Sequence, residues 1–186
     1  MALKVQHTFE VNAPIDQVWT YFADPEQVVP CLPGAELLDV LDQQTYRGRV
    51  GIRLGQINMN LEGQVQIVAM DEAQKTMILT AGGDQLGAPG GAQADISFSL
   101  HELNQTQTAV NIAGDVQVSG RLARMGGGMV QTVAKYMFDR FSKCTADTLQ
   151  VPLIEAPARP ADGFFRRAWT AARDWIRKVL GFESNS

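Results

Sequence analysis

The chain is poor in residues that hold metals and in patterns that run familiar chemistries. Two cysteines and two histidines occur in 186 residues. Cys31 and Cys144 form no C-x-x-C pair, and only His7 and His101 could join them. A zinc site would need ligands gathered from the whole length of the chain, so no metal is expected. Two lone cysteines fit a reducing compartment or two buried thiols. No G-x-S-x-G, H-E-x-x-H, P-loop or post-strand G-x-G-x-x-G is present, so no catalytic set stands out. Gly126-Gly127-Gly128 resembles a phosphate loop in composition but lacks the following Lys-Ser/Thr. The first residues, MALKVQHTFEV, show no basic segment leading into an apolar one, so no signal peptide is read there. No apolar run is long enough to span a bilayer. The expectation is a soluble, cytoplasmic protein that touches a membrane only from the side.

Basic charge is also scarce, and unevenly placed. The net charge is −4. Residues 1–149 hold ten Lys/Arg and sixteen Asp/Glu, whereas residues 150–186 hold six and four. An acidic body argues against nucleic acid as a partner, because phosphate contact needs a basic face.

The periodicities that are present describe one α+β domain. Val5, His7, Phe9 and Val11 alternate with polar residues over 3–12, a half-buried strand. Asn12 is a candidate cap and Pro14 an early helical residue for a helix carrying Ile15, Val18, Trp19 and Phe22. That helix stops near Asp24-Pro25, and a short helical turn covers 25–30. Six period-two stretches follow, over 35–41, 46–54, 57–67, 75–81, 96–100 and 110–118. Gly48, Gly63 and Gly114 sit on their apolar faces, as they do where a sheet bends. Short turns make the pairing antiparallel. The solvated turn Asp71-Glu72 is one of these.

Residues 121–149 read as one long helix, with Leu122, Met125, Met129, Val133, Met137, Phe138, Phe141 and Leu149 at three-to-four spacing. A curled seven-stranded sheet around this helix buries every apolar face. The glycines at 126–128 either precede the true helix start or permit close approach or bending. The glycine-rich segment 82–91 is read as a flexible gate over an entrance.

Pro152, Pro157 and Pro160 mark a linker over 150–163, which could reach about 40 Å. Residues 164–181 form a separate amphipathic helix. Phe164, Phe165, Trp169, Trp175, Ile176, Val179 and Leu180 fall in one arc of roughly 160°. Arg166, Arg167, Arg173, Arg177 and Lys178 lie opposite. Aromatic rings favour the headgroup level, and each basic residue near an anionic surface contributes about 1 kcal/mol. These twelve residues are the expected membrane contact, with docking on a partner protein or on the chain's own domain as the alternatives.

Val18-Trp19, then Asp24-Pro25, then Cys31-Leu32-Pro33-Gly34-Ala35-Glu36, together with Gly120-Arg121-Leu122-Ala123-Arg124-Met125-Gly126, resemble the carbon monoxide dehydrogenase G-subunit family. The resemblance covers about residues 1–149. It implies a helix-grip, START-like (SRPBCC) fold with an apolar cavity between sheet and long helix. It also implies a place beside a molybdenum hydroxylase such as carbon monoxide dehydrogenase, at the inner face of the cell membrane, and binding of respiratory quinone. Methionine adapts to ligands of varied shape, which agrees with the cluster on the long helix. Trp19, Phe22, Val28, Leu32, Met59, Leu61, Met77, Phe98, Met125, Met129, Val133 and Met137 are expected around the cavity or its mouth.

The leading expectation is therefore a non-catalytic carrier of menaquinone, ubiquinone or another lipid, with no covalent cofactor. An adaptor without a ligand that recruits the dehydrogenase is the second reading. A cyclase-type enzyme is the third, with Tyr46 and His7 as the only candidate polar groups inside. A chain ended after residue 155 is expected to stay folded and to lose binding to anionic vesicles; equal co-sedimentation of full and shortened chains would refute the membrane role of the tail.

Overall fold

The computed structural model describes residues 2–55 and 57–150. The expected linker beyond Gln150 and the expected helix at 164–181 lie outside these residues. β1 (Ala2–Val11) alternates exposed and half-buried residues, as a strand with one solvated face does. α1 (Ile15–Phe22) follows and buries Val18, Trp19, Tyr21 and Phe22. Asn12 does not cap it. Pro14 holds the cap position without a side-chain bond, its fixed φ turning the chain out of the strand. Asn12 Oδ1 instead accepts from Gln107 Nε2 at 2.9 Å. α2 (Pro25–Val28) is capped by Asp24, which accepts from Glu26 N at 3.0 Å. A 3-10 turn, Val29–Cys31, completes the crossing.

The remaining strands are β2 (Ala35–Val40), β3 (Thr45–Leu54), β4 (Ile57–Asp71), β5 (Thr76–Gln85), β6 (Gly91–Asn104) and β7 (Gln107–Val118). All seven join one sheet in the order β1-β7-β6-β5-β4-β3-β2, with every pair antiparallel. β1 and β2 are consecutive in sequence but lie at opposite edges. Residues 12–34 must therefore cross one end of the sheet, and α1, α2 and the 3-10 turn are that crossing. Thr108 Oγ1, fully buried, donates to Ala13 O at 2.8 Å and pins its start. Lys75 Nζ reaches Asp16 Oδ1 at 2.6 Å and lies 5.6 Å from the centre of the Trp19 ring, which ties the β4–β5 turn to α1.

Three expectations are corrected here. The helix expected over 121–149 is two: α3 (Gly120–Arg124) and α4 (Gly127–Gln150). The break falls at Gly126, whose φ is +84°. The segment 82–91 is no gate. Its first four residues belong to β5, and its turn is held by Gln85 N to Gly90 O at 2.8 Å, Leu86 N to Asn60 O at 2.8 Å and Arg121 N to Pro89 O at 3.4 Å. A Cβ on Gly90 would lie 2.7 Å from Gly120 Cα, and one on Gly120 would lie 2.6 Å from Gly90 Cα. Both also have positive φ, so these glycines permit backbone contact between turn and helix rather than motion. Finally, Cys31 and Cys144 are not separate thiols. They form a disulfide between the 3-10 turn and α4, 113 residues apart in sequence with a Cα–Cα distance of 5.3 Å.

α4 packs its C-terminal half on α1 and β1. Phe141 meets Phe9 and Phe22 edge-on, each at 6.1 Å between ring centres. Tyr21 Oη and Thr145 Oγ1 share a buried hydrogen bond at 3.4 Å. Burial pushes the pKa of the Tyr21 hydroxyl above the ordinary tyrosine value, against the partial relief of that bond.

A cross-link closing so long a loop removes about 4–5 kcal/mol of chain entropy from the unfolded state. Reduction, or a Cys31→Ala/Cys144→Ala pair, is therefore expected to lower unfolding stability by that order in urea titrations. An unchanged midpoint on adding reductant would show that the cross-link is not formed in solution.

Candidate functional site

The concave face of the sheet is largely apolar, with His7, Tyr46, Gln85 and Thr108 as its polar members. Cross-strand register lines up Tyr46, Val65, Ala81, Ala94 and Val116 in one row, and Ile67, Leu79, Ile96 and Gly114 in the next. A single helix cannot cover this face. Seven strands about 4.8 Å apart span about 29 Å, and a helix with side chains is about 10 Å wide. The sheet must curl, and Gly63 lies where it does. A Cβ there would run into the backbone of Gly82 and Gly83 on the neighbouring strand, so only glycine allows that approach.

Even curled, the face is not evenly covered. The buried apolar residues fall into two clusters. One gathers Val11, Val18, Trp19, Phe22, Met77, Leu100, Phe141 and their neighbours around the crossing segment. The other gathers Ile52, Ile57, Met59, Val118, Leu122 and Val133 around the α3–α4 break. Between them, Gly63, Val65, Ala81 and Ala94 face inward yet are only half-buried. Apolar groups left half-covered on a concave face are what an apolar ligand would complete.

Eleven of the twelve expected lining residues divide between the clusters. Trp19, Phe22 and Met77 are buried in the first, with Val28, Leu32 and Phe98 packed against it. Met59 and Val133 are buried in the second, with Leu61, Met125 and Met137 against it. Met129 belongs to neither and is 41% exposed. The sheet's outer face carries two open recesses of about 800 and 560 Å³. The larger is lined by Gln64, Gln66, Thr80, Gln93 and Gln117 among others, a polar surface unlike an isoprenoid site.

The two polar candidates inside are poorly placed for acid–base work. Tyr46 Oη donates to Gln43 O at 3.2 Å. Burial raises its pKa above the ordinary tyrosine value, and Asp24, Asp42 and Glu26 raise it further, so it stays a neutral phenol near pH 7. His7 is stacked on Phe138, 5.2 Å between centres and 8° between planes. Its Nε2 is buried without a hydrogen-bond partner among the described residues. Among those residues no three His, Cys, Asp or Glu side chains gather as metal ligands.

A family model for the G subunit of carbon monoxide dehydrogenase (CoxG) matches residues 8–150. The chain belongs to the CoxG family. Its fold is START-like, as solved structures show. A conserved protein from Geobacillus kaustophilus superposes with a TM-score of 0.73 at 20% identity, covering 79% of this chain and 95% of that one. The Zhui aromatase/cyclase from a Streptomyces species gives 0.60 at 14% identity, over 86% and 100%. A START superfamily protein from Mycobacterium smegmatis gives 0.56 at 20%, over 78% and 96%. At these identities the likeness concerns the fold alone. A comparison with functionally curated sequences finds no match. The CoxG match ends at residue 150, where α4 ends.

Gly63→Ala in this CoxG-family domain is expected to cost about 2 kcal/mol or more, because its new methyl meets the backbone of Gly82 and Gly83. Gly128→Ala, with open space around it, is expected to gain up to about 1 kcal/mol. Urea denaturation of both variants checks the contrast; equal midpoints would contradict the close approach at Gly63.

Proposed function

We propose that the chain is a non-catalytic carrier of an apolar, isoprenoid-type ligand, and that the concave face is its binding site. The observation that carries this reading is the half-covered apolar strip between the two clusters. Membership of the CoxG family supports a partner of the carbon monoxide dehydrogenase type, a molybdenum hydroxylase whose electrons pass to respiratory quinone. Menaquinone or ubiquinone is then the ligand. The carrier works at the inner face of the cell membrane, with residues 164–180 as its contact to an anionic bilayer. Among the described residues no helix is long and apolar enough to cross one.

Trp19, Phe22, Val28, Leu32, Met77 and Phe98 would enclose one end of the ligand. Met59, Leu61, Met125, Val133 and Met137 would enclose the other, with Met129 outside at the mouth. Dispersion spreads the binding energy over many such contacts, so no single residue carries it. The chemistry inside weighs against catalysis. Tyr46 is occupied and remains protonated, and His7 Nε2 has no partner among the described residues to orient it. General acid–base work needs a titrating group aimed at the reacting atoms.

Organic extraction of the purified protein followed by mass spectrometry tests the reading, with uptake from quinone-loaded vesicles as the second arm. A bound prenylated quinone, and uptake reduced by a bulky filler such as Met137→Trp, is the expected result. A protein that is clean on extraction and takes up no quinone would overturn it. Membrane recruitment of the dehydrogenase that survives the filler would favour a ligand-free adaptor instead.

A further inference from the structure

The charges of the described domain are sorted by end. At one end lie α1, α2 and the turns β2–β3, β4–β5 and β6–β7. This end carries Asp16, Asp24, Glu26, Asp42, Asp71, Glu72 and Glu102. Of its lysines, Lys75 is taken by Asp16, and Lys143, next to the cross-linked Cys144, is exposed. At the other end lie the β3–β4 turn, the β5–β6 turn and the α3–α4 break. The contacts that bring them together are Arg121 N to Pro89 O and the packing of Ile52 and Ile57 with Leu122 and Val133.

This second end has the opposite charge, while both ends expose apolar side chains, Val40, Leu41 and Leu103 at the first. Arg53, Arg121 and Arg124 are all exposed at the second. Among the described residues none of the three has a carboxylate within ion-pair distance. Beside them stand two large apolar side chains in water, Leu86 at 46% and Met129 at 41% exposure. Two carboxylates, Glu62 and Asp84, lie opposite each other on β4 and β5 near this end, on the sheet's outer face. Free cations interleaved with exposed apolar side chains are the pattern that seats a protein on an anionic bilayer. The acidic far end turns the domain so that this end arrives first.

We infer that the α3–α4 end of the domain is itself a membrane-docking face for anionic lipid, separate from the tail. The inference rests on the carrier reading, because it sets the second cluster, with Met59, Met125 and Met137, against the surface from which the ligand comes. Lipid is favoured over an acidic protein because the arginines are divided between the end of β3 and helix α3 and meet exposed apolar residues. They do not form a compact fork aimed at one carboxylate.

The test is hydrogen exchange on the full chain with vesicles of phosphatidylcholine alone and vesicles that also contain phosphatidylglycerol. With the anionic vesicles, exchange is expected to slow several-fold at residues 53–58, 86–90 and 120–130, and not at the turns 42–45, 71–75 and 103–106. Arg53→Gln, Arg121→Gln and Arg124→Gln are each expected to weaken partition by roughly fivefold, the equivalent of about 1 kcal/mol per basic residue. Leu86→Ser is expected to reduce the protection at 86–90. Vesicle binding that leaves the three segments unprotected would overturn the inference. So would equal protection on phosphatidylcholine alone, or protection given only by the dehydrogenase. Ligand extraction from the same samples separates the two ideas. Ligand without protection sinks the docking face and leaves the carrier standing, and protection without ligand does the reverse.

Discussion

A wide sheet with one apolar face has to cover that face, and here one helix is the main cover. The mismatch between about 29 Å of strands and about 10 Å of helix governs the rest of the structure. It forces the curl at Gly63. It also explains why the crossing segment 12–34 is folded over one end and α3 over the other, since each closes a gap that α4 leaves. The two apolar clusters are these two closures. The half-covered strip between them is what remains of the mismatch, and it is the binding surface of the proposed carrier.

The two ends are secured differently. At the crossing segment, three aromatic contacts, the Tyr21–Thr145 hydrogen bond and the Cys31–Cys144 disulfide bind α4 firmly. At the other end the helix is interrupted at Gly126, and Met129 stands in water. A container whose ligand enters and leaves needs one end fixed and one end accessible, and this division supplies both. The disulfide bears on compartment as well. Such bonds persist in oxidising surroundings and are rare in a reducing cytoplasm. At an inner membrane face the pair would be two adjacent thiols, with the stabilisation of the cross-link withdrawn.

Much of the fold was legible in the residues. The alternation of Val5, His7, Phe9 and Val11 places β1 within a residue of its observed start and end. The glycines on apolar faces mark the curl. The match to the CoxG family bears out the resemblance carried by Leu32-Pro33-Gly34-Ala35 and its companions. The misreadings share a cause. Segment 82–91 looked mobile because glycine is permissive in isolation, whereas Gly82, Gly83 and Gly91 pair within the sheet and Gly90 serves contact with the start of α3. Asn12 looked like a cap because the pairing that takes its side chain, with Gln107, spans 95 positions. The twelve candidate lining residues formed one set on pattern, yet the fold divides them between two clusters and leaves Met129 outside both.

The amino-acid sequence by itself determined the strands, the short helices, the sidedness of the sheet and the amphipathic pattern of 164–180. These are properties of spacing along the chain, set by the fixed periods of strand and helix. The disulfide, the division of the core and the separation of acidic and basic ends were decided only by tertiary structure. Each depends on which distant residues the topology brings together. Cys31 meets Cys144 because β1 and β2 lie at opposite edges, so that the segment joining them must pass beneath the end of α4.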